Sequence, residues 1–119
     1  GFRTVRRFIK NLTKLSVIKM ERTYMLIGLA KKAGRLVSGE KNCKDAISSG
    51  SAKLVIIGCD TAKNTLKSVT NSCKFYNVKY VFFGDSVSLG HSIGNTHNAV
   101  VAVCDEGLAG LIEKSLPQN

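Results

Sequence analysis

The residues best placed for chemistry run from Ser38 to Lys44 and read Ser-Gly-Glu-Lys-Asn-Cys-Lys. We expect Ser38 to cap a helix here, so that unpaired backbone N–H groups and the positive end of the helix dipole favour an anion. Gly39 would let a ligand approach the backbone, and the Asn42 amide could donate to and accept from a base edge. Lys41 and Lys44 would add positive charge. Many helices nevertheless begin with Ser-Gly and carry lysines without binding anything.

A second polar run, Asn95-Thr96-His97-Asn98, lies just before an apolar, β-rich segment that begins at Ala99. One interpretation is a surface turn that leads into a strand. The other is a loop that holds an unstacked base, as happens in proteins that recognise RNA loops and bulges. The residues alone leave both interpretations open.

Residues 90–94 read Gly-His-Ser-Ile-Gly and match the G-x-S-x-G elbow of serine hydrolases. An elbow serine directly follows a buried strand, whereas residues 85–89 separate this motif from a strand expected to end at Phe83. The downstream order is also wrong, because His97 precedes the nearest acid, Asp105. We predict no catalysis, and we expect close helix packing at the first glycine and a helix end at the last.

Cofactor and metal sites have no support in the sequence. Neither a phosphate loop nor a dinucleotide fingerprint is present, and the two histidines, His91 and His97, have no ligand partner at metal-binding spacing. The four cysteines are too far apart for a metal knuckle or a redox pair, so we expect buried, reduced thiols at Cys43, Cys59, Cys73 and Cys104. We predict no cofactor, no metal and no small-molecule substrate.

The elements that position these residues alternate between helical segments and short β-rich runs. Helices are expected over about 21–33, 39–49, 62–76, 87–93 and 106–116, and strands over 35–37, 54–58, 78–83 and 99–104. In the first helix we expect Tyr24, Met25, Leu26, Leu29 and Ala30 to point inward, and Asp60 or Thr61 should cap the third. The pattern predicts one α/β domain over 20–119, a three-layer α/β/α sandwich around a mixed sheet of four or five strands.

The charge balance predicts a polyanionic partner. The chain has 18 Lys and Arg against 8 Asp and Glu, a formal charge of +10, while its 44% hydrophobic residues are ordinary for a folded protein. Because no apolar run is long enough to cross a bilayer, we expect a cytoplasmic protein that crosses no membrane. No membrane is among the predicted partners.

Residues 1–19 are predicted to form a basic amphipathic helix that precedes the domain. This extension could be an RNA-contacting arm, a membrane-surface helix or a segment upstream of a natural start at Met20. These alternatives stay open.

Three segments together carry a family resemblance: residues 29–39 (LAKKAGRLVSG), 52–57 (AKLVII) and 89–94 (LGHSIG). In order and spacing they resemble the ribosomal L7Ae/L30e superfamily, most closely its small bacterial YlxQ-like branch. The resemblance spans nearly all of residues 21–115.

This resemblance implies an α/β/α protein that binds kink-turn RNA, in which tandem sheared G·A pairs fold one duplex against another. The start of the second helix would enter the RNA groove beside these pairs, here with Gly39, Glu40, Lys41 and Asn42. The loop from Asn95 to Ala99 would cover a protruding base. Cys59, Asp60 and Thr61 would lie in the same surface.

Asp45 departs from the family pattern, because the archaeal type has a lysine there. A carboxylate at that position weakens the expectation of kink-turn binding more than that of RNA binding in general. Our first hypothesis is a monomer that binds structured RNA, such as ribosomal RNA, in a ribosome-associated role. The alternative is a protein-interaction adaptor of the same fold that has lost specific RNA recognition.

Overall fold

A computed structural model describes residues 2–117, with side chains from residue 17 onward. In this part of the chain, helices alternate with strands. The elements are α1 (Phe2–Lys32), β1 (Leu36–Ser38), α2 (Glu40–Ser48), β2 (Leu54–Ile57), α3 (Lys63–Phe75), β3 (Tyr80–Phe82), α4 (Ser86–Ser92), β4 (Val100–Val103) and α5 (Glu106–Ser115).

The four strands form one mixed sheet in the order β1-β4-β2-β3. The two central strands, β2 and β4, are antiparallel, with Leu54 opposite Val103 and Ile57 opposite Val100. The edge strand β3 is parallel to β2, which the crossover through α3 allows, and β1 is antiparallel to β4. The predicted mixed sheet is confirmed, and β2 lies inside it between β4 and β3.

Alternating side chains of the central strands pack into two separate cores, because successive residues of a strand point to opposite faces. Leu54 and Ile56 face the core that is shared with α1, α4 and α5. Val55 and Ile57 face the core that is shared with α2 and α3. The predicted three-layer α/β/α sandwich is therefore confirmed.

Helix α1 differs from the prediction in its length and in its buried face. Neither glycine nor proline occurs between residues 17 and 27, so one helix runs through the expected boundary near residue 20. Met25 and Leu29, predicted to point inward, are 59% and 48% exposed, whereas Ile27 and Thr23 are fully buried. Apolar residues occur all round this stretch, and contact with α5 selects the buried face, with Thr23 Oγ1 lying 2.8 Å from Ser115 Oγ.

The amphipathic face predicted for residues 1–19 depends mainly on side chains between Val5 and Leu15. These side chains lie outside the described residues. Of the apolar residues on that predicted face, Ile18 is described, and it is 47% exposed.

The four cysteines are free thiols that differ in their exposure. Cys43 and Cys73 are buried in the core of α2 and α3, as predicted, and Cys104 is half-buried. Cys59 is exposed, so its predicted burial is wrong, because it follows β2 on the turn that leaves the sheet. Among the described residues, no three His, Cys, Asp or Glu side chains converge as metal ligands would. None of the described helices combines the length and apolarity needed to cross a membrane.

Candidate functional site

The start of α2 is shaped by Gly39 and not by Ser38. Ser38 is the last residue of β1 and pairs with Val101, so the predicted Ser38 cap is wrong. Gly39 occupies the cap position with φ 90° and ψ 154°, a combination that is nearly confined to glycine. Its N–H donates to the Val100 carbonyl at 3.0 Å, which joins the helix start to the first residue of β4.

Backbone donors are bare at this helix start. The first helical bond runs from Cys43 N–H to the Gly39 carbonyl at 3.0 Å. The N–H groups of Glu40, Lys41 and Asn42 therefore have no acceptor within the helix. Within the described residues, no side chain caps them, and all three residues are exposed. The turn presents three amide donors at the positive end of the helix dipole.

The polar side chains of α2 point in different directions. Lys41 is exposed. Asn42 Nδ2 donates to the Ser38 carbonyl at 3.1 Å, which leaves Asn42 Oδ1 as an acceptor. Lys44 is half-buried, and its Nζ donates to Ser68 Oγ on α3 at 2.7 Å. The Lys44 ammonium is thus held against α3, whereas the Lys41 side chain has no hydrogen bond or ion pair to the residues whose side chains are described.

The polar loop before β4, residues 95–98, rests on α4. The Asn95 N–H donates to the Gly90 carbonyl at 2.8 Å, and the Asn98 N–H donates to the Ser86 carbonyl at 2.8 Å. Asn95 Nδ2 also donates to Asn98 Oδ1 at 2.7 Å, which closes the loop on itself. Asn98 and Ala99 are half-buried, whereas Asn95, Thr96 and His97 are exposed.

Asp60 and Thr61 do not cap α3 as predicted, because Ala62 holds the cap position without a side-chain bond. Asp60 accepts instead from Ser86 at the start of α4, through Oδ1 from the N–H at 2.9 Å and through Oδ2 from Oγ at 2.7 Å. These bonds, with a smaller contribution from the charge of His97, lower the pKa of the Asp60 carboxyl. Thr61 Oγ1 donates to the Gly58 carbonyl at 2.6 Å.

Backbone hydrogen bonds bring the three sequence-predicted segments to one edge of the sheet. The carbonyl of Ala99 accepts from the Gly58 N–H at 2.7 Å and lies 3.4 Å from Thr61 Oγ1. The next residue, Val100, accepts from the Gly39 N–H. The start of α2, the turn after β2 and the loop before β4 are therefore neighbours, with Lys44 set apart at α3.

Ser86 is the part of this site that the sequence did not indicate. It contacts Asp60 through its N–H and hydroxyl, and Asn98 through its carbonyl. The local pattern shows only a serine after Asp85, the N-cap of α4. Nothing in that pattern points to a partner 26 residues away along the chain.

The fold and the site define a small α/β/α domain with a polar sheet edge that can accept an anion beside an exposed loop. The chain belongs to the Ribosomal protein L7Ae/L30e/S12e/Gadd45 family, whose model matches residues 21–112.

Two relatives share most of their length with this chain. One, the RNA-binding protein YlxQ of Bacillus subtilis, is 42% identical over 86 residues, which is 72% of this chain and 86% of the relative. The RNA-binding protein YlxQ of Enterococcus faecium is 32% identical over 84 residues, which is 71% and 81% respectively. These matches confirm the resemblance to the YlxQ-like branch.

Solved structures agree on the fold. A protein with unknown function from Bacillus halodurans superposes with a TM-score of 0.75 at 29% identity, over 78% of this chain and 94% of that one. The Giardia lamblia 15.5kD RNA binding protein superposes with a TM-score of 0.67 over 81% and 83%. At 20% identity, this second likeness concerns the fold alone.

Proposed function

We propose that this chain binds structured RNA of the kink-turn type, or another bent duplex, through the start of α2 and the loop at residues 95–99. The observation that carries the proposal is the run of three uncapped amides at residues 40–42, all three of them exposed residues, next to a polar loop whose residues 95–97 are exposed. The two YlxQ relatives are named as RNA-binding proteins, which supports the same function.

In the proposed complex, the amides of Glu40, Lys41 and Asn42 donate to phosphate oxygens at the helix start. The Lys41 ammonium adds a charge contact to the backbone, and Asn42 Oδ1 accepts from the edge of a base. Gly39 keeps this turn free of a side chain, so the RNA can approach closely. Glu40 is exposed beside these donors, so its carboxylate lies close to phosphate in this pose.

The loop supplies the second half of the proposed interface. Asn95, Thr96 and His97 are exposed and follow a backbone that α4 holds in place, so they can cover a base that leaves the stack. Asp60 and Thr61 lie beside the same loop. Affinity should fall with salt, because lysine contacts to phosphate release counterions.

The protein acts without catalysis, as a cytoplasmic monomer whose RNA-binding domain spans 20–119, with residues 1–19 as a basic extension. Its RNA is ribosomal or ribosome-associated. The overall charge of +10 favours such a polyanion.

A second candidate is a protein-interaction adaptor, and two observations favour it. Asp45 is an exposed carboxylate one turn beyond Lys41, and the Lys44 ammonium is held by Ser68. The first adds negative charge to α2, and the second holds the Lys44 ammonium against α3 and away from the helix start. However, Asp45 lines a cleft together with two cationic side chains, those of Arg35 and Lys53.

The test is a titration of the full chain with a kink-turn RNA and with an unbent duplex of equal length and charge, followed by fluorescence anisotropy. Preferential binding of the bent RNA supports the proposal. Equal, weak and salt-sensitive binding would show only nonspecific charge attraction, and no binding would favour the adaptor.

A further inference from the structure

A chain of contacts links Asp60 to the loop at residues 95–98 through Ser86. Both carboxylate oxygens of Asp60 accept from Ser86, one from its N–H and the other from its hydroxyl. The carbonyl of Ser86 accepts in turn from the Asn98 N–H at 2.8 Å. Ser86 thus joins a side chain in the turn after β2 to the backbone of the loop.

One turn further along α4, Gly90 holds the other end of the same loop. Its carbonyl accepts from the Asn95 N–H at 2.8 Å. Because residues four apart lie on one face of a helix, Ser86 and Gly90 form a continuous seat for the loop. The position of this seat relative to the sheet is set at its first residue, where Asp60 binds Ser86.

We propose that Asp60 is a positioning residue of the RNA interface, which acts through Ser86 to fix the loop at residues 95–98, and does not itself contact RNA. This inference rests on the proposed function of the loop. The carboxylate would repel phosphate, and each of its oxygens is already bonded to Ser86. The hydrogen bonds to Ser86 would explain why a carboxylate lies in a surface proposed to bind a polyanion.

A positioning role and a purely electrostatic role for Asp60 predict opposite changes in RNA affinity when the residue is replaced. Replacing Asp60 with alanine removes one negative charge, so charge alone predicts tighter RNA binding. If Asp60 positions the loop, Asp60→Ala weakens binding by roughly tenfold, the equivalent of one net hydrogen bond at its upper range. Asp60→Asn keeps an oxygen to accept the Ser86 N–H and an amide to donate to its hydroxyl, so it retains wild-type affinity or exceeds it.

Asp45→Ala is the matched control, because it removes the same charge from another exposed carboxylate of the site region, one that lies on α2 and makes no hydrogen bond to Ser86. The full chain and the three variants are titrated with the kink-turn RNA. Hydrogen exchange of the Asn98 amide is measured on each free protein. Because the Asp60 side chain is exposed, its replacement removes no core packing.

The proposal expects faster Asn98 exchange and weaker RNA binding in Asp60→Ala alone. Tighter binding in both Asp60→Ala and Asp45→Ala, with Asn98 exchange unchanged, would overturn it. If the wild-type chain does not bind the RNA, the proposed function fails, whereas Asn98 exchange still shows whether Asp60 holds the loop.

Discussion

Gly90 on α4 lies directly beneath the backbone of His97. A methyl group added to Gly90 would sit 2.6 Å from the His97 backbone nitrogen, too close for any carbon atom. The predicted close packing at this glycine is confirmed, and its partner is the loop before β4. The position of the loop therefore depends on the absence of a side chain at Gly90.

Gly90→Ala should push the loop away from α4. We expect a loss of about 1–3 kcal/mol in the free energy of unfolding, as for other overpacked sites, together with weaker RNA binding. Gly110→Ala in α5 is the control, because a methyl group there meets nothing within 4 Å. Alanine favours a helix by up to about 1 kcal/mol over glycine, so this control should be stabilised. Urea denaturation measures the free energy of unfolding of both variants. Equal stability of the two would contradict the close packing of Gly90 against the loop.

Lys41→Glu should weaken RNA binding more than Lys114→Glu, which makes the same charge change on α5. Lys41 stands at the proposed phosphate contact, whereas Lys114 is exposed on the opposite helical layer. The loss should also exceed that of any single change at Arg3, Arg6 or Arg7.

Anisotropy titrations at several salt concentrations measure this difference. Losing one phosphate contact should reduce the slope of log K against log salt concentration by about one. Equal losses at Lys41 and Lys114 would mean that overall charge, and not the start of α2, binds the RNA.

The thiols should react in order of their exposure. Burial raises the pKa of Cys43 to about 12 and that of Cys73 to about 11, so neither forms much thiolate near neutral pH while folded. At pH 8, a thiol reagent should label Cys59 first, the half-buried Cys104 more slowly, and the two buried thiols only on unfolding. Cys59→Ser should abolish the fast phase. A fast phase that survives in this variant would place another thiol at the surface.

Acid should break the Asp60–Ser86 contact and release the loop once the pH falls below the ordinary pKa of an aspartate. Because Ser86 hydrogen bonds lower the pKa of Asp60 from its usual 3.8, the contact favours the folded state above that value. Its contribution is lost as the pH falls through the lower, folded pKa. The amide resonance of Ser86 should titrate with a midpoint below 3.8, and Ser86→Ala should raise that midpoint. A midpoint at or above 3.8 in the wild type would contradict the bond.

The local sequence pattern predicted the sheet well, because strands such as β2 are apolar throughout and bounded by polar turns. The helix caps predicted at Asp60 and Ser38 were wrong, because tertiary structure sets the partners of both residues. A carboxylate next to a helix looks like a cap, yet Asp60 binds Ser86. A serine before a helix looks like a cap too, but the pairing of Ser38 with Val101 keeps it in the strand.

The site was predictable as separate segments and not as an assembly. The segments at Gly39 and Asn95 were recognised from their residue types and from the family resemblance. Their proximity depends on the order of the strands, which places β1 and β2 on either side of β4. Ser86 could not be found, because a local pattern does not show a contact with Asp60.

The central claim is that the bare amides of residues 40–42 receive the RNA. An amide-resolved NMR titration of the full chain with a kink-turn RNA tests it most directly. We predict the largest shifts at Glu40, Lys41 and Asn42, with a second group at residues 95–99. Shifts confined to other surfaces, with these amides unchanged at saturation, would contradict the claim.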